Sequence, residues 1–203
     1  MTKTNEFYYI PSGITSEICE IIKNRFKNEP LENSKVLDMY RSQNIEDLEE
    51  SPFRVKEEVR KSQHLWIPTD DWISGMMAHF IHCANNTMYN YDIIQWADRI
   101  QYTVYDGKDS YYHWHEDTMS SAFTCIQNLK LIRKLSISLC LSPKDDYEGG
   151  EFQVMLGAND MQSIKLDMGD VIVFPSDASH RVRKLKSGKR ISLVGWFAGP
   201  PFR

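Results

Sequence analysis

The apolar positions of this 203-residue chain change period partway along. In the first part they recur at helical spacing. Ile18, Ile21, Ile22 and Phe26 follow Thr15 and Ser16, either of which can cap a helix. Trp72, Ile73, Met76, Met77, Phe80, Ile81 and Ala84 follow Pro68-Thr69-Asp70 and form one apolar face. Both stretches are predicted to be helices. The second should end near Asn85-Asn86, with Gly75 allowing close packing at a small loss of helix propensity. Residues 7–11 read as a short strand stopped at Pro11 and turned by Ser12-Gly13. Residues 28–62 are polar, punctuated by Pro30 and Pro52. They are expected to be loop, with strand at 35–40 and a short helix near 52–60.

After residue 90 the period shortens. β-type runs fall at 93–105, 111–117, 133–142, 151–156, 162–167, 171–174, 179–185 and 190–197. Asp106-Gly107, Glu148-Gly149-Gly150, Gly157, Gly169-Asp170, Pro175 and Ser187-Gly188 separate most of them as turns. Residues 118–132 interrupt the pattern with a longer, mixed segment. Evenly spaced short strands with glycine-rich turns predict a sandwich or barrel. The expected fold is mostly β with N-terminal helices, in one domain spanning 1–203. Residues 1–90 would be a helical support region, packed through the Trp72–Ala84 face on one sheet of a β-rich core at 91–203.

Composition narrows the function. The net charge is −4, which argues against a broad nucleic-acid surface. Cys19, Cys83, Cys125 and Cys140 form no CxxC pair, so free thiols are expected rather than a zinc ribbon. No apolar run follows Met1 and none is long enough to span a bilayer, so the expectation is a soluble cytoplasmic protein without a signal peptide.

The chemistry concentrates in Tyr111-Tyr112-His113-Trp114-His115-Glu116-Asp117. On a strand, His115 and Asp117 share a face about 7 Å apart, so an imidazole and a carboxylate can grip one metal. The best third ligand is His180, just after the apolar run Val171–Phe174. Two histidines and one carboxylate on one octahedral face leave three positions open, the pattern of non-haem iron(II) oxygenases. A 2-oxoglutarate co-substrate would chelate the metal beside O2, and its far carboxylate needs a cation. Arg190 supplies a guanidinium, Ser192 on the same face adds a hydroxyl, and Ile191 and Leu193 pack the other way. Asp at 117 keeps all three ligands, which favours hydroxylation over halogenation. His113 shares the inward face by alternation and is either a pocket residue or structural. Tyr112 either lines a mouth or packs, as does Tyr111, and Trp196 is either core or substrate wall. His64, His79 and His82 have no partner pattern and read as structural.

In order along the chain, Tyr105, Asp106-Gly107, Tyr112, His115-x-Asp117, Gly149-Gly150, Phe152, Gly169-Asp170, Phe174-Pro175, His180, Gly188-x-Arg190-x-Ser192 and Trp196 resemble the 2-oxoglutarate/iron(II) dioxygenase superfamily. The prolyl 4-hydroxylase-like branch is the nearest pattern. The resemblance covers roughly the C-terminal half. It implies a double-stranded β-helix (jelly roll), Fe(II), 2-oxoglutarate and O2, with release of succinate and CO2, and Tyr105 at the co-substrate pocket. It also implies a protein or peptide substrate, with peptidyl proline first. Arg190 stands where collagen-type enzymes tend to carry Lys, and 118–132 is longer than a bare turn at the expected substrate mouth. Alternatives are a hydroxylase of a free amino acid or other small metabolite, a nucleic-acid demethylase, and a cupin-like metal-binding module without turnover.

Overall fold

Two capped helices open the chain. Thr15 accepts from the Ile18 amide to start α1 (Ser16–Phe26), and Asp71 accepts from the Ile73 amide to start α2 (Trp72–Ala84). Asp71 also pairs with Arg25, which ties the two helices together. The structure is a computed structural model that describes residues 7–37, 53–118, 125–126, 129–157 and 160–202. Past α2 the chain runs on for one π-helical turn, Asn85–Tyr89, and stops where Asn90 takes a left-handed conformation. No helix among the described residues is long and apolar enough to cross a membrane.

The strands that matter for the site are β1 (Tyr8–Ile10), β2 (Arg60–Lys61), β3 (Gln63–Ile67), β4 (Ile100–Asp106), β5 (Tyr111–His115), β6 (Ile132–Cys140), β7 (Phe152–Gly157), β8 (Asp160–Ile164), β9 (Val171–Pro175), β10 (His180–Val182) and β11 (Leu185–Gly199). They form two antiparallel sheets. The larger runs β1-β9-β6-β11-β4-β3, with Glu32–Asn33 at its far edge; the smaller runs β8-β7-β10-β5-β2. This is the double-stranded β-helix layout with helices on one sheet.

Alternation along the strands sorts the side chains into two cores. Leu135, Ile137 and Leu139 of β6 and Leu193 of β11 turn toward Ile73, Met77 and Ile81 of α2. The opposite face meets the smaller sheet through Tyr105, Cys140, Phe152, Ile172, Phe174 and Val182. The same alternation sends Arg190 and Ser192 to the second face, while Ile191 and Leu193 pack with the helices as the sequence predicts.

Several expectations need correction. The N-terminal region is not only helical support: β1 and β3 both join the large sheet. The helix expected near 52–60 is absent among the described residues there. Phe53–Arg54 pairs with Val36–Leu37, Lys56 to Val59 makes a single turn, and Arg60–Lys61 pairs with β5, so strand pairing at both ends outcompetes the helix. Residues 93–105 split into Gln95–Trp96 and β4. Ser187-Gly188 does not end a strand; it lies inside β11. Gly188 has φ +82° there, and a Cβ would fall 2.0 Å from the Asp146 carbonyl oxygen, so only glycine fits. Trp72 and Ile21 are exposed rather than on the buried faces, and a Cβ at Gly75 meets nothing within 4 Å, so no close packing explains that glycine. Cys19, Cys83 and Cys140 are free thiols. The Cys125 side chain, and most of 118–132, lie outside the described residues.

Candidate metal and co-substrate site

Neighbouring strands of the smaller sheet bring the candidate ligands together. His115 ends β5 and His180 begins β10, and the two are register partners. Asp117 lies two residues beyond His115, held by its amide donating to the Ser176 carbonyl at 2.8 Å, just ahead of His180. Nitrogen and oxygen atoms of His115, Asp117 and His180 all fall within 4.8 Å of one another. His115 Nε2 is 3.7 Å from one Asp117 oxygen and His180 Nε2 is 3.4 Å from the other.

The surroundings orient each donor. The His113 carbonyl lies 2.8 Å from His115 Nδ1 and the Ala178 carbonyl 2.9 Å from His180 Nδ1. A carbonyl only accepts, so both Nδ1 atoms carry the proton and both Nε2 lone pairs face Asp117. Ser136 of β6 donates to Asp117 at 2.8 Å, and its oxygen is 2.9 Å from the Ser176 hydroxyl. Burial, then the neighbouring His180, pushes His115 down to about 3, so its imidazole is neutral near neutral pH and free to ligate. Burial works to raise the Asp117 pKa, but the histidines, Arg133 and the Ser136 hydroxyl outweigh it and hold the carboxyl below its usual range.

The second face of the large sheet supplies a cation. Arg190 is only 1% exposed. Its Nη1 donates to Ser192 at 3.2 Å, and its guanidinium lies 5.6 Å from the Tyr105 ring centroid. Nε and Nη2 of Arg190 have no acceptor among the described residues. The interior that holds Arg190 is the one His180 faces: His180 packs on Phe152 and Phe174, members of the same cluster as Tyr105.

Other expected residues divide. Tyr112 lies at the ligands, its ring stacked on His115 with centroids 3.5 Å apart and planes 16° apart. His113 does not: it is exposed. The reason is a bulge. Between the pairs His180↔His115 and Val182↔Tyr112, β5 has one more residue than β10, so alternation is broken and Tyr112, not His113, shares the face of His115. Trp196 is buried, its ring 4.2 Å from the Arg133 guanidinium and 6.4 Å from the Trp66 ring. Its indole N–H has no acceptor among the described residues. Four further residues gather here that no sequence motif marks. Arg133 reaches the Asp117 carbonyl at 3.4 Å, Ser136 holds the Asp117 carboxylate, and Arg60 lies 4.5 Å from the Tyr112 centroid. Tyr147, fixed by its hydroxyl donating to the Leu166 carbonyl at 2.6 Å, joins the cluster around Arg190's interior. None sits in a local motif; only strand pairing brings them in.

Comparison with known proteins bears on the same stretch. Residues 100–198 match the family model described as the 2OG-Fe(II) oxygenase superfamily. A PKHD-type hydroxylase of Prochlorococcus marinus (strain MIT 9515) is 44% identical over 62 residues, which is 30% of this chain and 28% of that protein. One of Cupriavidus pinatubonensis is 42% identical over 67 residues, 33% of this chain and 29% of that protein. The matched stretch thus spans well under half the length of these curated relatives. Among solved structures, a Pseudomonas putida prolyl-4-hydroxylase superposes with TM-score 0.67 at 18% identity, covering 98% of this chain and 95% of that one. A Trichoplax adhaerens prolyl hydroxylase, in complex with a hypoxia inducible factor peptide fragment, superposes with TM-score 0.69 at 18% identity, covering 96% and 84%. At these identities the superpositions speak to the fold.

Proposed function

We propose that this chain, whose residues 100–198 match the 2OG-Fe(II) oxygenase superfamily model, is a member of that superfamily and an iron(II)- and 2-oxoglutarate-dependent hydroxylase acting on a protein or peptide, with peptidyl proline the first substrate to test. The observation that carries the reading is Arg190. A guanidinium 1% exposed with two unpaired nitrogens is expensive unless an anion completes it. A dicarboxylate would serve both groups, chelating a metal held by His115, Asp117 and His180 at one end and giving its far carboxylate to Arg190 and Ser192, beside Tyr105, at the other. A metal-binding module without turnover has no use for that cation.

The donor set fits the metal. Two neutral imidazoles and one carboxylate suit iron(II) and leave coordination positions free. When bound, iron and 2-oxoglutarate supply the oxidation, in which O2 gives one atom to succinate and one to the hydroxylated product as CO2 leaves. The protein does the rest. His113 and Ala178 carbonyls fix the histidine tautomers, Ser136 fixes the carboxylate, and Phe152 and Phe174 keep water from the interior. Trp196, Arg133 and Tyr112 form the wall a substrate would meet. The peptide reading is supported by the relatives named PKHD-type hydroxylases and by the peptide held by the Trichoplax protein.

The test is oxygen-dependent succinate release by the iron-loaded protein, with proline-containing peptides or free amino acids added. Succinate coupled to a 16-Da gain on a peptide, at about one to one, is expected. Coupling only to a free amino acid would move the substrate to a small metabolite. No succinate under any condition would overturn the enzyme reading.

A further inference from the structure

Arg60 is a large cation far from any motif, yet it is built into the ground behind the metal ligands. It is 7% exposed. Its Nε donates to Ser62 at 2.8 Å and its Nη2 donates to Gln101 at 2.8 Å. Gln101 is itself fixed, accepting from the Thr103 hydroxyl at 3.1 Å. Thus β4 of the large sheet, with the residue linking β2 to β3, holds the guanidinium. It rests against the Tyr112 ring, 4.5 Å from the centroid, and Arg60 and Tyr112 are cross-strand partners. The His115 imidazole lies at 3.5 Å on Tyr112, nearly parallel, and so takes one face of the phenol ring. The other face is left to Arg60.

This is a stack of three planar groups ending on a ligand. The His115 ring has one hydrogen bond to orient it, from Nδ1 to the His113 carbonyl. One bond sets the direction of Nε2 but leaves the ring free to rock about that bond. The Tyr112 face removes that freedom. Tyr112 in turn sits beside the β5 bulge, where strand pairing is interrupted and does less to fix its side chain. A cation on an aromatic face contributes most when it is desolvated, as here.

We infer that Arg60 is a positioning residue for the metal centre, acting through Tyr112 to hold the His115 imidazole in its ligating orientation. The inference rests on the reading of His115, Asp117 and His180 as metal ligands, and it concerns affinity for the ion rather than chemistry on substrate. Residues that support a ligand from behind typically set metal affinity by 10- to 100-fold.

The experiment uses Co(II) as the probe, binding to the full chain followed by its visible absorption, with no substrate and no turnover. Arg60→Met keeps the side-chain stem and should weaken Co(II) about tenfold. Tyr112→Leu should weaken it by a similar factor, and Tyr112→Phe, which keeps the stacked face, should leave it near the wild-type value. The double variant Arg60→Met/Tyr112→Leu should be no weaker than Tyr112→Leu alone, because Arg60 has then lost the group it acts through. Should Arg60→Met fold poorly, Gln101→Met releases the same guanidinium from a strand further back and should weaken Co(II) in the same direction. A purely structural role would lower the unfolding temperature of the metal-free protein and leave the Co(II) affinity of the folded fraction unchanged, and that result overturns the inference. Additive losses in the double variant overturn it too. If the wild-type chain binds no Co(II), the ligand assignment falls first and the inference with it. If the wild type binds and Arg60→Met binds equally well, the inference alone falls.

Discussion

The two faces of the large sheet are made of the same strands and do opposite things. Toward the helices, Leu135, Ile137, Leu139 and Leu193 meet Ile73, Met77 and Ile81, and every one is buried and apolar. Toward the smaller sheet, the residues between them are Ser136, Ser138, Arg190 and Ser192, also buried. On that side Arg190 Nε and Nη2, Arg133 Nε and Trp196 Nε1 have no acceptor among the described residues. One face is a completed core and the other is a core left incomplete. A folded chain keeps buried donors unsatisfied where something else completes them. The stability of the protein should therefore reside on the first face and its binding on the second.

That division can be broken most severely at Asp117. Asp117→Ala leaves two imidazoles without their carboxylate and should abolish both Co(II) binding, read by absorption, and succinate release. The next largest effect belongs to the helix face. Ile81→Ala empties a fully buried site and should lower the unfolding free energy by about 2–5 kcal/mol, measured by urea titration, while the Co(II) affinity of the folded protein stays the same.

Arg190→Met sharpens the comparison from the other side. Removing one member of a buried charge pair should weaken 2-oxoglutarate by roughly 3 kcal/mol, about 10²-fold in Kd. The free protein should be at least as stable as the parent, because the lost guanidinium had two unpaired nitrogens. Calorimetric titration and thermal unfolding of the same sample read both. A helix-face residue cannot give that combination.

The smallest effect is a pH dependence at His64, on the β3 edge of the site face. Burial, with the Arg60 charge adding, pushes His64 down to about 4. Its Nδ1 lies 3.1 Å from the Ser34 hydroxyl and its ring packs edge-on to Trp66. The unfolded imidazole takes a proton near pH 6.5 and the folded one only near 4, so acidification across that window favours the unfolded chain. Stability should be flat above about pH 6.5 and fall progressively toward pH 4. Unfolding curves of His64→Leu should lack that slope.

How much of this was legible beforehand follows from range. His115 and Asp117 share a short segment, His180 follows the apolar run of β9, and Arg190 lies within the next long strand, so local pattern singles out all four as candidates. The same alternation rule put His113 in the site wrongly, because a one-residue bulge leaves no mark on the pattern of apolar residues. The helix expected near 52–60 failed for a related reason: pairing partners at residues 36–37 and 111–112 set that segment's structure. Strand β3 follows the polar stretch 28–62, and its apolar run Leu65-Trp66-Ile67 is too short to announce a strand without its partner β4. Arg60, Tyr147, and Arg133 with Ser136 reach the site from three different strands, and nothing local announces them.

The most direct measurement is anaerobic absorption on adding Fe(II) and then 2-oxoglutarate to the wild-type chain and to Arg190→Met. A visible charge-transfer band that saturates with 2-oxoglutarate is expected in the wild type, and the same band in Arg190→Met only at about 10²-fold higher concentration. No band in the wild type, or identical titrations for the two proteins, would contradict it.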